Sequence, residues 1–255
     1  MTRIVGKRPE LALIHGWGLD SAVWEPLLPG LSKRSRVHLI DLPGYGDTVD
    51  EDADFTATAQ ALIDALPQPV TLCGWSLGAM LAMRAALLAP GRIDGLVLVA
   101  ATASFTQRSG WRAAQAPAVV DSFSASIRRQ PKETLQRFVT LLSQGDSQAR
   151  PITRQLLACQ RRRPTPATRA LARGLDWLRE VDLRALLPAL TTRCLVVHGE
   201  HDPLNPLAAA SWLSEKIANA RLEIFAGAAH APFLNDRERF LGLLDDFCDA
   251  RCATI

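Results

Sequence analysis

A series of short apolar runs, rich in Leu, Ile and Val, constrains the fold more than any other feature. The runs occupy residues 11–14, 37–40, 70–74, 96–100, 194–199 and 222–225. Continuous apolar runs of this length are typical of strands that are buried on both faces. Helical patterns separate them, at residues 57–66, 77–88, 206–218 and 237–250. The alternation predicts an α/β fold, with a mostly parallel central sheet that is flanked by helices.

One long segment interrupts this alternation. Residues 104–181 contain no convincing strand and show four helical patterns instead, at 119–129, 132–144, 151–162 and 166–178. The strand pattern then resumes at Cys194. We therefore predict a core domain formed by residues 1–103 and 182–255, and a helical cap, residues 104–181, that is inserted into it.

Charge is divided unevenly between these two parts. The chain has a formal net charge of +3, but the predicted cap has 14 Lys and Arg against 5 Asp and Glu, whereas the remainder has 15 against 21. A solvated helical surface would explain this excess, and so would a docking face for an acidic partner. The cap has no nucleic-acid-binding motif, so we expect no nucleic-acid partner.

No segment has the properties of a targeting or membrane-spanning sequence. The first apolar run is too short for a signal peptide, and no run approaches the roughly 18 apolar residues of a membrane span. We expect a monomeric, cytoplasmic protein without membrane attachment.

Of the five cysteines, Cys73 and Cys194 lie in predicted strands, and Cys248 and Cys252 have no second ligand pair. We expect neither a disulfide nor a zinc site.

Residues 74–78 read GWSLG, a G-x-S-x-G motif that directly follows a predicted strand and precedes a predicted helix. Such a strand-to-helix turn, a nucleophile elbow, lifts a serine hydroxyl clear of the sheet. Gly74 and Gly78 relieve crowding at the turn, and the helix N-terminus favours developing negative charge. Ser76 is therefore the predicted nucleophile.

A serine nucleophile needs a base that is oriented by a carboxylate. Asp202 follows the fifth predicted strand and His230 follows the sixth. This is the order Ser, Asp, His expected after a nucleophile elbow. Glu200, close to Asp202, and Asp176, in the predicted cap, are alternative acids.

The other histidines suggest structural roles. His38 lies within a predicted strand, and the ring of His15 is expected to hold its own loop in shape. His198 and His201 flank Asp202 but lack a metalloprotease motif, so we expect no metal site.

Ester hydrolysis also needs hydrogen-bond donors for the oxyanion. The expected donors are two backbone N–H groups, that of Leu77 after the nucleophile and that of Trp17 in the HGWG sequence at residues 15–18. The DLPGYG loop at residues 41–46 is expected to be structural.

With these motifs in order, the chain resembles the α/β-hydrolase superfamily over essentially its whole length. The sequences HGWGL (15–19), DLPGYG (41–46), GWSLG (74–78) and AAHAPF (228–233) are similar to those of the BioH family of pimeloyl-[acyl-carrier protein] methyl ester carboxylesterases. The resemblance implies hydrolysis of the pimeloyl methyl ester in biotin biosynthesis, with an acyl carrier protein as partner and without a metal or cofactor.

The resemblance also implies contacts with substrate and partner. Residues implied to contact the substrate are Trp17, Ser76, Leu77, Phe138, Val139, Thr140, Leu141, Leu142 and His230. Positions implied to face the acidic carrier protein are Arg137, Arg150 and Arg154, whereas Glu133 stands where a basic residue is expected. The apolar face of an amphipathic cap helix would equally explain residues 138–142 as packing.

Other activities share the predicted triad. A short-chain carboxylesterase that acts on small free esters and a carbon–carbon bond hydrolase are the alternatives. Epoxide hydrolases and haloalkane dehalogenases have Asp at the nucleophile position, where this chain has Ser76. A complete triad also disfavours a purely ligand-binding role.

Overall fold

A single seven-stranded sheet forms the centre of the computed structural model, which describes residues 2–6 and 9–249. Its strands are β1 (Thr2–Gly6), β2 (Glu10–Ile14), β3 (Arg36–Ile40), β4 (Val70–Trp75), β5 (Ile93–Val99), β6 (Cys194–Gly199) and β7 (Ala220–Phe225). They are ordered β1-β3-β2-β4-β5-β6-β7. Strands β2 to β7 run parallel, and β1 pairs antiparallel with β3. The predicted α/β fold with a mostly parallel sheet is confirmed.

Helices connect the parallel strands. The α-helices are α1 (Leu28–Leu31), α2 (Phe55–Ala65), α3 (Leu77–Leu88), α4 (Pro117–Arg129), α5 (Pro131–Leu142), α6 (Ala149–Arg162), α7 (Thr168–Glu180), α8 (Leu207–Lys216), α9 (Pro232–Asn235) and α10 (Arg237–Asp249). Short 3₁₀ segments cover Ser21–Leu27 and Leu187–Ala189. Each predicted helix is present, with ends that differ by a residue or two; α1, α9 and the 3₁₀ segments were not expected.

Two strands differ from the prediction. Strand β1 was not expected, and it lies at one edge of the sheet beside β3. The run at residues 222–225 was expected to be buried on both faces, but β7 is the opposite edge strand. Its Ile224 is 41% exposed, whereas Phe225 is buried. An edge strand has a neighbour on one side only, so its apolar pattern does not guarantee burial.

The core lies on both faces of the central strands. Every residue of β4 and β6 is buried. An aromatic stack adjoins the carboxyl end of β4: the Phe233 ring lies 5.3 Å from Trp75 and 4.5 Å from Trp24 between ring centroids. Since Phe233 follows His230 by three residues and Trp75 precedes Ser76, this packing anchors both predicted catalytic segments.

Helices α4 to α7, here called the cap helices, lie between β5 and β6 in the chain. Several arginines within or directly beside these helices form ion pairs with the core. Arg163 lies 2.7 Å from Asp47, and Arg173 lies 2.8 Å from Asp50. Part of the basic excess thus fastens the cap helices to the core. The domain boundaries at residues 104 and 181 stay predictions.

Among the described residues, the cysteines are free and buried: Cys73, Cys159, Cys194 and Cys248. Burial raises the pKa of Cys159 and of Cys248 to about 11. Cys252 and the predicted helix end at residue 250 lie outside the described residues. None of the described helices is long and apolar enough to cross a membrane.

Candidate active site

Ser76 occupies a sharp turn between β4 and α3. Its backbone has φ 56° and ψ −115°, a left-handed conformation that costs a non-glycine residue on the order of 1–3 kcal/mol. The turn is held by two hydrogen bonds, from Ser76 N–H to Val99 O (2.9 Å) and from Ala79 N–H to Ser76 O (3.0 Å). The Ser76 side chain makes no capping hydrogen bond to α3, so its hydroxyl is not used by the helix.

The turn packs against the neighbouring loop with no room for a side chain at Gly78. A Cβ atom there would lie 2.5 Å from His15 O and 2.6 Å from Ile14 O. Glycine thus lets the start of α3 approach the backbone after β2. This contact brings the predicted oxyanion loop, residues 15–18, against the nucleophile turn.

Asp202 lies in a tight turn after β6, with its carboxylate fully enclosed. One oxygen, Oδ1, accepts hydrogen bonds from Leu204 N–H and Asn205 N–H, both at 2.9 Å. The other, Oδ2, accepts from His230 Nδ1 at 2.7 Å. Burial opposes ionisation of Asp202, but attraction to His230 and these hydrogen bonds lower its pKa below the ordinary value. Asp202 is therefore a carboxylate at neutral pH.

The ring of His230, the predicted base, is oriented by its hydrogen bond to Asp202. Because Nδ1–H donates to Asp202, the neutral ring has its lone pair on Nε2. Within the described part of the chain, buried Nε2 has no hydrogen-bond partner. The indole Nε1–H of Trp75 donates to His230 O at 2.7 Å, which ties the histidine to the residue before Ser76.

The alternative acids do not reach His230. The Oε2 atom of Glu200 accepts a hydrogen bond from Gly227 N–H at 2.9 Å, and the side chain is half exposed. Asp176 lies on α7, where burial and nearby Glu180 raise its pKa. Neither is hydrogen-bonded to the imidazole, in contrast to Asp202.

The remaining histidines differ in burial and in their hydrogen-bond partners. His198 is buried and its Nε2–H donates to Asn205 O at 2.8 Å, while the side chain of His201 is half exposed. No cluster of three or more His, Cys, Asp or Glu residues suited to a metal ion occurs within residues 2–6 and 9–249. His38 contacts Glu10 of the adjacent strand at 2.6 Å, in agreement with a structural role.

His15 joins two loops beside the site. Leu42 N–H donates to Nε2 at 3.0 Å, so the proton is on Nδ1, which donates to Gly16 O at 2.8 Å. Burial lowers the pKa of His15, which keeps the ring neutral. The ring therefore holds its own loop in shape, as expected from the sequence, and also fastens it to the DLPGYG loop, which was not expected.

The predicted oxyanion donors have no hydrogen-bond partner among the described residues. Leu77 is the first residue of α3, where N–H groups have no partner within the helix. In the described ranges, neither Leu77 N–H nor Trp17 N–H donates a hydrogen bond to another residue. Their role as an oxyanion hole stays a prediction.

An aromatic cluster packs the predicted oxyanion loop against α4 and α5. It consists of Trp17, Phe123 and Phe138; the Trp17 and Phe138 ring centroids are 4.7 Å apart at an interplanar angle of 86°. The Trp17 indole also donates to Leu171 O on α7 at 2.8 Å. Ser76 is only 8% exposed. The arrangement suits a reaction that is shielded from water.

Residues 138–142, the implied acyl-channel segment, do not share one face of α5. Phe138, Val139 and Leu142 are buried, and Leu141 is half-buried. Thr140 is exposed and its hydroxyl donates to Gln136 O, and its contact with substrate stays a prediction. A helix turns every 3.6 residues, so five consecutive residues cannot all face one channel.

The implied docking arginines lie on the outer surface of the cap helices. Arg137, Arg150 and Arg154 are exposed, and no acidic residue of the described chain forms an ion pair with them. They line two adjoining cavities of about 530 and 550 Å³ between α5 and α6, which share Thr140, Leu157 and Arg161. We call this feature the α5–α6 groove. Glu133 lies in it too.

Three structural contributors to the site were not identified from the sequence. Trp75 and Asn205 hold His230 and Asp202, as described above. Asp146, in the loop between α5 and α6, accepts a hydrogen bond from Ala229 N–H at 2.7 Å. The surrounding sequence, Gln-Gly-Asp-Ser, predicts only a turn. No feature of this short segment indicates a contact with the peptide before His230.

Comparisons with known proteins show the family of the chain. The family model described as alpha/beta hydrolase family matches residues 11–243. The pimeloyl-[acyl-carrier protein] methyl ester esterase of Photobacterium profundum is 41% identical over 95% of each chain. That of Nitrosomonas europaea is 38% identical over 94% of this chain and 96% of its own. The resemblance inferred from the motifs is confirmed.

A solved structure has the same fold. An esterase from Exiguobacterium antarcticum superimposes with a TM-score of 0.89 and 25% identity, covering 97% of this chain and 94% of its own. The match includes the cap helices as well as the sheet. The family model and these relatives, together with the sheet and the turn at Ser76, show that the chain belongs to the alpha/beta hydrolase family.

Proposed function

We propose that this protein is a serine carboxylesterase that hydrolyses the methyl ester of pimeloyl-[acyl-carrier protein] in biotin biosynthesis. The observation that carries the chemistry is the 2.7 Å hydrogen bond between Asp202 and His230, which leaves Nε2 unpaired beside the Ser76 turn. The choice of substrate is supported by relatives of that name at 38–41% identity.

The first half of the reaction acylates the enzyme. Ser76 Oγ attacks the ester carbonyl carbon while His230 Nε2 takes the hydroxyl proton. The resulting oxyanion accepts hydrogen bonds from Trp17 N–H and Leu77 N–H, and one such donor is typically worth about 10²–10³ in kcat. When the intermediate collapses, the C–O bond to the methoxy group breaks, and the proton on His230 goes to the departing oxygen. Methanol leaves, and the acyl group stays on Ser76.

The second half releases the acid. A water molecule gives a proton to His230 Nε2 and attacks the acyl carbon, and the same N–H groups bind the oxyanion again. Collapse breaks the bond to Ser76 Oγ, which recovers its proton from His230. Throughout, Asp202 stays ionised and stabilises the imidazolium. No step needs a metal or cofactor.

The carrier protein is proposed to dock on the α5–α6 groove. Arg150 and Arg154 are four residues apart on α6 and thus share one face with Arg161 and the apolar Leu157. The opposite wall bears Arg137. Unpaired arginines around an apolar centre suit an acidic helix with an apolar stripe. Such charges chiefly speed association and fix orientation.

The decisive experiment compares two substrates. Pimeloyl-[acyl-carrier protein] methyl ester and a p-nitrophenyl ester should both be cleaved by the wild type, with far higher kcat/KM on the carrier-bound ester. Ser76→Ala should lose both activities. If the wild type cleaves only the small ester, the protein is a short-chain carboxylesterase, the second candidate. Full activity of Ser76→Ala would exclude the mechanism.

The docking surface has its own test. Each of Arg150→Glu and Arg154→Glu should raise KM for the carrier-bound ester, with about 1 kcal/mol, or roughly fivefold, expected per reversed charge. Hydrolysis of the small ester should be unchanged. Arg112→Glu, an exposed residue outside the groove, is the matched control. Equal losses on both esters would instead indicate a damaged cap. The cytoplasmic location and monomeric state stay predictions.

A further inference from the structure

The loop between α5 and α6 is tightly hydrogen-bonded to the segment that bears His230. Its central residue is Asp146, whose side chain is buried. Oδ2 accepts from Ala229 N–H at 2.7 Å, and Oδ1 accepts from Gln148 N–H and from Asn235 Nδ2–H, both at 2.7 Å. Three N–H donors thus surround one carboxylate, and no Lys or Arg of the described chain forms an ion pair with it.

Backbone hydrogen bonds extend this contact to both sides of Asp146. His230 N–H donates to Leu142 O, the last residue of α5, at 3.1 Å. Ser147 N–H donates to Gly227 O at 2.8 Å. The turn that leads into the histidine is therefore held by the cap side of the molecule, in addition to the sheet.

His230 consequently has a fixed backbone as well as a fixed ring. Its N–H is bound by α5, its carbonyl oxygen by the Trp75 indole at 2.7 Å, and its Nδ1 by Asp202 at 2.7 Å. The preceding peptide N–H, that of Ala229, is bound by Asp146 alone among side chains of the described residues. Asp146 therefore controls the direction from which the chain enters the histidine.

We propose that Asp146 is a positioning residue, which sets the placement of the imidazole relative to Ser76 through the Ala229 peptide. The inference rests on the proposed triad, in which Nε2 must transfer the proton of Ser76 Oγ. A displacement of about 1 Å at such a base can cost on the order of 10²-fold in rate. Because the carboxylate is occupied by three N–H donors of the protein, its effect should appear in kcat.

Asp146→Asn is the sharpest perturbation, because it keeps the shape of the side chain. An amide has one acceptor oxygen, whereas the three donors approach both oxygens of the carboxylate. In either orientation, the amide NH₂ must face another N–H group. We expect kcat on a p-nitrophenyl ester to fall about 10- to 100-fold, with KM nearly unchanged.

A reciprocal exchange provides the rescue. In Asp146→Asn/Asn235→Asp, the new amide can donate to the new carboxylate at residue 235 and turn its oxygen toward Ala229 N–H. Gln148 N–H remains without its acceptor, so recovery should be partial. We expect the double variant to regain several-fold of the kcat lost in Asp146→Asn. Asn235→Asp alone brings two carboxylates together and should lower kcat.

Asp121→Asn is the matched control. Asp121 lies on α4 of the cap helices, is half exposed and pairs with Arg179 at 2.8 Å, so its substitution should leave kcat unchanged. All variants are compared below their melting temperatures, with the folded fraction measured by circular dichroism. Ser76→Ala is measured in parallel.

Two results would overturn the proposal in distinguishable ways. If Ser76→Ala is inactive but folded Asp146→Asn has wild-type kcat, Asp146 serves stability only. If the double variant shows no recovery while Asp146→Asn is impaired, the hydrogen-bond geometry is not what matters. If Ser76→Ala is active, the proposed triad fails first, and the positioning role with it.

Discussion

The two hydrogen-bonding sides of Asp202 make Asp202→Asn a decisive test of the triad. Oδ1 accepts two backbone N–H groups, those of Leu204 and Asn205, and Oδ2 accepts the Nδ1–H of His230. In the asparagine variant, the amide oxygen stays with the two N–H donors, so the NH₂ group faces Nδ1. The ring must then accept at Nδ1, which places its proton on Nε2. The base has lost its lone pair.

The structure also decides which orientation the amide adopts, and that orientation determines how far kcat falls. The opposite amide orientation would direct NH₂ toward two N–H donors at 2.9 Å. Leaving these buried donors unpaired would cost about 1–3 kcal/mol each, so the orientation that disables His230 prevails. A triad with the wrong tautomer loses about 10⁴ in kcat, which corresponds to roughly 5.4 kcal/mol of transition-state stabilisation.

The assay is p-nitrophenyl ester hydrolysis at pH 8, with thermal unfolding as the check on folding. We expect Asp202→Asn to fold and to lose about four orders of magnitude in kcat. Glu200→Gln, which alters the alternative acid, should stay within about threefold, because Gln retains an acceptor for Gly227 N–H. Activity of Asp202→Asn within tenfold of wild type would refute the reasoning. A large loss in Glu200→Gln alone would transfer the role to Glu200.

Three further substitutions test the stability of the fold. Gly78→Ala should lower the melting temperature and the activity, since its Cβ would lie 2.5 Å from His15 O. Gly242 lies on α10 with open space around it, so Gly242→Ala should stabilise the folded protein by about 1 kcal/mol. Burial opposes ionisation of Asp50, yet Arg169 and Arg173 lower its pKa. Asp50→Asn should therefore cost about 1 kcal/mol in urea unfolding at pH 7, above the unfolded-state pKa of about 3.9, and the cost should vanish as pH falls through the folded-state pKa. A pH-independent cost would contradict the ion-pair explanation.

The elements and the order of the site residues were predictable because they depend on local patterns. Buried parallel strands have continuous apolar runs, and the turns after three of them hold Ser76, Asp202 and His230. Carboxyl ends of parallel strands meet at one edge of a sheet, so these turns had to be close. The His230–Asp202 hydrogen bond is in accord with that expectation.

Errors arose where burial or direction depends on distant neighbours. The resemblance implied one channel-lining segment at residues 138–142, but the helical turn exposes Thr140 while Phe138 and Val139 are buried. Ile224 was expected to be buried because its run is apolar, but β7 lies at the sheet edge. The basic residues of the predicted cap were taken together as one excess of charge, although Arg163 and Arg173 form ion pairs with acidic residues of the core.

By itself, the sequence determined the class of fold, the nucleophile turn and the order of the predicted triad, since each follows from periodicity and spacing within a short stretch. Only the tertiary structure decided how the site is held. Asp146 lies 83 residues from Ala229 in the chain, and the Trp75 indole lies 155 residues from His230. Such hydrogen bonds arise because tertiary packing brings buried polar groups from distant parts of the chain together, and each of these groups must find a partner.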